Sequence, residues 1–187
     1  MRCFIAIELP TGVRDRLVAL QTSLRELDSQ IRWTRPEHVH VTLKFLGDVP
    51  DTQVTDICRT AIETAARLPP IGVEVAGAGC FPPGGPVRIV WVGVIGPSPE
   101  LTACHAACEE AFARLGYLPE TRPFRPHLTI GRSRDPKGAR QVRETVAANG
   151  DFRCGRFTAT ELAVIQSVLG RSGPTYTRLA RAPLAGR

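Results

Sequence analysis

From residue 2 to residue 9 the sequence "RCFIAIEL" alternates as a β-strand does, and "TGVRDRLVALQTSLREL" (11–27) then carries its apolar residues at helical spacing. Residues 31–49, "IRWTRPEHVHVTLKFLGDV", are strand-like on both sides of a turn at Arg35-Pro36, and the pattern stops between Asp48 and Asp51. Asp51 or Thr52 is placed to cap a helix running to about Leu68, where Pro69-Pro70 ends it. Two strands follow, "IGVEVAGAGCF" (71–81) and "VRIVWVGVIG" (87–96), separated by the turn "PPGGP". Ser98 caps a helix over 99–115 that Gly116 closes. "FRPHLTIGR" (124–132) is a strand, and residues 136–148 form a helix opened by Pro136. The tail from Arg156 to Leu184 reads as two strands around "GRSGP".

The order is strand, helix, strand, helix, strand, and then strand, helix, strand, helix, strand, strand. The second half approximates the first in kind and spacing, and no Ser-, Gly- or charge-rich linker divides them. This predicts two similar lobes that face each other and fold as one unit over residues 1–187.

With 43% hydrophobic and 22% charged residues, the chain has a globular make-up and not a disordered one. No apolar run approaches the ~20 residues that span a bilayer. The opening "MRCFIAIELP" lacks the small-residue cleavage site of a signal peptide, so a soluble cytoplasmic protein is expected. Cys3, Cys58, Cys80, Cys104, Cys108 and Cys154 form no C-x-x-C pair. Cys104 and Cys108 lie one helical turn apart around His105 but lack a second ligand pair for zinc, so reduced and mostly buried thiols are expected. The net charge of +6 is carried by arginine, Lys44 and Lys137 being the only lysines. A planar guanidinium matches phosphate well, so an anionic partner is indicated, although an arginine-rich proteome would give any protein such a surface.

Candidate chemistry lies in a repeated tetrapeptide. Two of the four histidines open the same pattern, His40-Val41-Thr42-Leu43 and His127-Leu128-Thr129-Ile130. On a strand, His40 and Thr42 emerge on one face, as do His127 and Thr129, with the aliphatic residues pointing into the core behind them. If the lobes are related by an approximate two-fold, two imidazoles and two hydroxyls converge on one cleft. One imidazole can take a proton while the other gives one, and the hydroxyls can donate to an oxyanion between them. That set suffices for phosphodiester cleavage without a metal ion.

With these motifs and their flanks the chain resembles the 2H phosphoesterase superfamily, whose signature is two H-x-[ST]-hydrophobic motifs. Within it the chain is similar to the RNA 2′,3′-cyclic phosphodiesterases, also called 2′-5′ RNA ligases. The likeness covers nearly the whole chain: "MRCFIAIELP", "RPEHVHVTLKFLGDV" with its F-L-G, "FRPHLTIGR", and the closing "LAVIQSVLGRSGPTYTRLARAPL". It implies an α+β fold of two lobes related by a pseudo-two-fold, each an antiparallel sheet with helices on its outer face, around a central groove. It also implies cofactor-free hydrolysis of RNA 2′,3′-cyclic phosphate ends, or of nucleoside 2′,3′-cyclic phosphates, to 2′-phosphates, and 2′-5′ ligation in reverse. Carried over by position, His40 is the proton donor to the 3′-oxygen and His127 the proton acceptor, while Thr42 and Thr129 bind phosphate. The pseudo-symmetry leaves the opposite assignment of acid and base open. Arg132 stands where the family often has Arg and is a candidate phosphate clamp. Its odd offset from His127 points it off the cleft face unless Gly131 allows a bulge.

Phe45, in the equivalent place after His40, can stack on a base or pack in the core. Ser167 and Tyr176 are read as structural, His105 as structural or exposed, and Arg125 as facing the groove or solvent. His38 departs from the family pattern. His38 and His40 on one strand face, with His127, could form a three-histidine zinc site, the rival enzyme reading. A non-catalytic module holding RNA ends is the rival of another class. A monomer is expected, since no heptad or exposed apolar stripe argues otherwise.

Overall fold

Strand β1 (Arg2–Glu8) is buried at each position from Cys3 to Ile7, because both of its faces are covered. Cys3, Ile5 and Ile7 enter the main core, whereas Phe4 and Ala6 join a smaller cluster with Ala163, Ile165 and Tyr176 on the opposite face. The structure is a computed structural model and describes residues 1–25, 31–96, 98–133, 140–170 and 173–186. Along the chain follow α1 (Thr11–Arg25), β2 (Ile31–Trp33), β3 (His40–Asp48), α2 (Val54–Ala65), β4 (Ile71–Phe81) and β5 (Ile89–Val94). Then come α3 (Pro99–Ala113), β6 (His127–Ser133), α4 (Arg140–Ala148), β7 (Arg153–Ala159), β8 (Glu161–Gly170) and β9 (Gly173–Pro183).

The strands form one antiparallel sheet in the order β7-β4-β5-β6-β3-β1-β8-β9, with β2 alongside β6. It is an α+β fold in two halves, β3-β1-β8-β9 and β6-β5-β4-β7. They meet through Val41 of β3 and Leu128 of β6, which pair directly. β2 takes over the rest of that side of β6, with Trp33 opposite Gly131. The two motif strands therefore touch only near their starts, and the sheet opens there into a groove.

The helices supply the main core from one face. Val13, Leu17, Leu20, Gln21 and Leu24 make the buried stripe of α1 at the expected helical spacing. Ile57, Ala61 and Ala65 do so in α2, and Leu101, Cys104, Cys108 and Phe112 in α3. Ser98 caps α3 as expected, its side chain accepting from Leu101 N at 3.2 Å. Gly116 ends that segment with φ of 91°.

The structure corrects two readings of the sequence, the cap of α2 and the tail. Residues 51–53 form a 3-10 turn, so α2 begins at Val54 and no side chain of Asp51 or Thr52 caps it. The segment 31–49 is, as expected, strand-like on both sides of a turn, here a 3-10 turn at Pro36–His38. The tail contains three strands, because the chain leaves β7 beside β4 and enters β8 beside β1 across the single residue Thr160. The expected helix start at Pro136, and Arg171 and Ser172 of the expected last turn, lie outside the described residues.

All six cysteines are free, and all but Cys58 are buried. Burial raises the thiols of Cys3, Cys58 and Cys80, and pushes Cys154 up to about 11.

Candidate active site

The pairing of Val41 with Leu128 builds the site. Both side chains are fully buried, so their neighbours on each strand point to the other face. Continuing the register by one residue each way sets His40 across from Thr129 and Thr42 across from His127. The two imidazoles then occupy the diagonal of a four-residue array, a separation of roughly 7–8 Å between positions for a regular ladder. A threonine hydroxyl stands across from each imidazole in this array.

Both rings are held alike. His40 Nδ1 lies 2.8 Å from the carbonyl oxygen of His38, and His127 Nδ1 lies 2.7 Å from that of Arg125. A carbonyl only accepts, so each Nδ1 carries the hydrogen and each Nε2 is left for the cleft. The surroundings differ. His40 stacks on Phe4 at 4.6 Å and meets Tyr176 edge-on at 5.5 Å. His127 has Phe81 edge-on at 5.2 Å, and Phe81 leans on Trp91. Burial, with lesser contributions from His38, Arg132 and His127, pulls the pKa of His40 down to about 4.

Each motif ends in a bulge. On β3, Thr42 pairs with Ala6 and Lys44 with Ile5, leaving Leu43 unpaired. On β6, Thr129 pairs with Trp91 and Gly131 with Val90, leaving Ile130 unpaired. Leu43 and Lys44 are consecutively buried, as are Ile130 and Gly131, so the alternation slips by one residue and returns Phe45 and Arg132 to the cleft face. The odd offset of Arg132 is thereby overcome. Its charge acts on both His40 and Tyr176. Gly131 suits the spot, since a Cβ there would stand 2.7 Å from Ile31 Cγ2. Phe45 is 66% exposed, 6.0 Å from the Phe4 ring, and is not a core residue.

Tyr176, read as structural from the sequence, closes over the His40 side of β3 and touches Phe4, His38 and His40. Phe4 is a second residue the sequence did not single out, since it looks like any apolar position of an inner strand. Ser167 pairs with Tyr176 across β8 and β9. The Arg125 side chain is exposed, and only its carbonyl serves the site. His38 sits on the 3-10 turn rather than on β3, so it does not share a strand face with His40. Its ring rests against Tyr176 at 4.7 Å. Among the described residues no three His, Cys, Asp or Glu side chains are grouped as a metal site requires. Beside His40 lies a pocket of about 260 Å³ lined by Glu37, His38, Tyr176 and the Glu8–Arg178 ion pair, 2.7 Å apart.

A family model of the 2′-5′ RNA ligase superfamily matches residues 13–171. The chain belongs to this superfamily. It is 32% identical to the RNA 2′,3′-cyclic phosphodiesterase of Methanothermobacter thermautotrophicus over 95% of both chains. It is 29% identical to the Aeropyrum pernix protein of the same name over 92% of this chain and 98% of that one. In structure it is similar to TT0787 of Thermus thermophilus, with a TM-score of 0.86, 26% identity and full coverage of both chains. Escherichia coli LigT complexed with 3′-AMP gives a TM-score of 0.79 at 26% identity, covering 98% of this chain and 97% of that one. No helix among the described residues is long and apolar enough to cross a membrane.

Proposed function

We propose that this protein hydrolyses RNA 2′,3′-cyclic phosphate ends, and the corresponding nucleoside cyclic phosphates, to 2′-phosphates by a two-histidine mechanism that needs no metal ion. The observation that carries the reading is the diagonal of two histidines and two threonines, each imidazole tied through Nδ1 to a backbone carbonyl, which leaves Nε2 as the nitrogen that can exchange a proton with substrate. The names of the relatives and the 3′-AMP complex of LigT support the substrate class.

In this reading His127 Nε2 takes a proton from water as its oxygen bonds to phosphorus. The bond from phosphorus to the 3′-oxygen breaks, and His40 gives that oxygen a proton. The hydroxyls of Thr42 and Thr129 and the guanidinium of Arg132 donate to the phosphoryl oxygens, whose charge grows in the transition state. Between them the imidazoles supply acid and base, so no step calls for a Lewis acid. Without a bound anion His40 is neutral at pH 7, its pKa being about 4. Its proton therefore arrives with the substrate, whose phosphate charge draws the imidazole upward. A desolvated imidazolium is a strong acid, which suits protonation of an alkoxide leaving group. With a 5′-hydroxyl in place of water, the same two transfers join RNA ends through a 2′-5′ linkage.

Phe45 at the rim offers a stacking face to a base. A monomer in the cytoplasm is part of this reading, and six free thiols suit that reducing compartment.

The test is turnover of an RNA ending in a 2′,3′-cyclic phosphate, in excess EDTA, by wild type, His40→Ala and His127→Ala. Wild type forms the 2′-phosphate, and each substitution removes roughly 10²- to 10⁴-fold of rate. Activity that returns only with zinc would overturn the metal-free mechanism, and RNA binding without turnover would leave a binding module.

A further inference from the structure

The bulges after the two motifs share a feature outside the chemistry just described. In each half, the carbonyl of the bulged residue accepts a hydrogen bond from a helix side chain on the core side of the sheet. Leu43 O receives His105 Nδ1 of α3 at 2.9 Å. Ile130 O receives Gln21 Nε2 of α1 at 2.9 Å, together with the backbone N of Thr34 at 2.9 Å. Gln21 is only 1% exposed, an amide among the apolar residues of its helix, and its other bond goes to Thr34 O at 2.8 Å. His105 stacks flat on Phe124 at 3.9 Å, three residues before His127.

We propose that Gln21 and His105 are matched positioning residues, each fixing one bulge and through it the aim of one cleft side chain, Arg132 in the case of Gln21 and Phe45 in the case of His105. A bulged residue has lost its ladder partner, so its backbone is the part of the strand freest to slip back into regular alternation. Regular alternation would turn Arg132 and Phe45 away from the substrate. A buried carbonyl must also find a donor, and a side chain fixed on a packed helix satisfies it in one strand geometry only. The two donors differ chemically, amide and imidazole, yet meet equivalent atoms. Neither touches substrate.

The inference rests on the proposed cyclic phosphodiesterase reading, and the test separates the two. kcat/KM on an RNA 2′,3′-cyclic phosphate is measured for Gln21→Met in the wild-type and Arg132→Ala backgrounds, with melting temperatures to show that each variant folds. The near-isosteric Gln21→Met lowers kcat/KM about tenfold in wild type, in line with sub-ångström misaim of a phosphate clamp. In the Arg132→Ala background the same change costs less than about twofold, because the two residues act as one unit. The second arm uses His105→Leu, which raises KM for RNA, and His105→Asn, whose amide reaches where Nδ1 did and restores it. The His105→Leu effect disappears in Phe45→Ala. Equal losses in both backgrounds at both bulges, from an active wild type, overturn the inference alone. A wild type that does not turn over the substrate overturns the reading and the inference with it.

Discussion

Val41 and Leu128 face each other where the two halves of the sheet meet, and both are completely buried. Their side chains support from behind the diagonal that carries the histidines and threonines. Leu128→Ala leaves a cavity at this junction and costs about 2–5 kcal/mol of stability. Turnover at a temperature where the variant remains folded falls as well, since the cross-strand spacing of His127 and Thr42 depends on that contact. Denaturant melts and kcat on the same samples check both expectations. A variant with reduced stability and unchanged kcat would uncouple the junction from the chemistry.

The environment of His40 makes stability depend on pH. Burial lowers its pKa to about 4 from the ordinary 6.5 of an unfolded chain. Between those values the unfolded chain binds a proton that the folded chain refuses, so stability rises with pH. The contribution is fully present above about pH 6.5 and is lost on acidification towards 4, at most roughly 3 kcal/mol. His38, lowered mainly by burial, acts in the same direction. Urea melts at pH 7 and pH 4.5 should show wild type losing more stability than His40→Gln.

The division of roles within the histidine pair is tested through the leaving group. Exchanging acid and base gives the same pH–rate profile, since one proton on the pair is required either way. An acyclic diester in which 4-nitrophenolate replaces the 3′-oxygen needs no proton to leave. If His40 is the donor, His40→Ala loses roughly 10²- to 10⁴-fold on the RNA cyclic phosphate and less than tenfold on the aryl diester. His127→Ala loses heavily on both. The opposite pattern assigns the donor's role to His127.

Arg132 and Phe45 occupy equivalent positions, and the proposed function gives them different work. Arg132→Ala should weaken inhibition by inorganic phosphate along with kcat/KM. Phe45→Ala should raise KM for RNA by roughly fivefold or more, the low end of one lost base–aromatic stack, while phosphate inhibition stays as in wild type. Equal weakening of phosphate inhibition by both would place Phe45 in the phosphate site.

Much of the site was legible because strand periodicity is local. His40 with Thr42, and His127 with Thr129, share faces by spacing alone. The position of Arg132 was not legible, since a bulge depends on strands far away in sequence, here β5 against β6. Tyr176 reaches His40 from β9, and nothing near residue 176 in sequence signals that contact. Phe4 stayed hidden because an inner strand buried on both sides loses the alternation that marks a functional face. The boundary between β7 and β8 was missed because the residues around Thr160, Ala159 and Glu161, carry no Gly or Pro. Gln21 and His105 do not look special in sequence, since both fall at helical positions.

The sheet order leaves β7 and β9 as its outermost strands, each with a row of backbone groups that another chain could zip onto. Both are studded with arginine held by carboxylates: Arg153 and Arg156 by Glu74, and Arg178 by Glu8. Arg181 faces Glu161 in the same way. These four arginines face three carboxylates, so most of their charge is balanced locally, and charged side chains on an open sheet edge disfavour edge-to-edge pairing. Nucleic-acid affinity should therefore follow the arginines at the groove, and the molecule's total charge should be a poor guide to it.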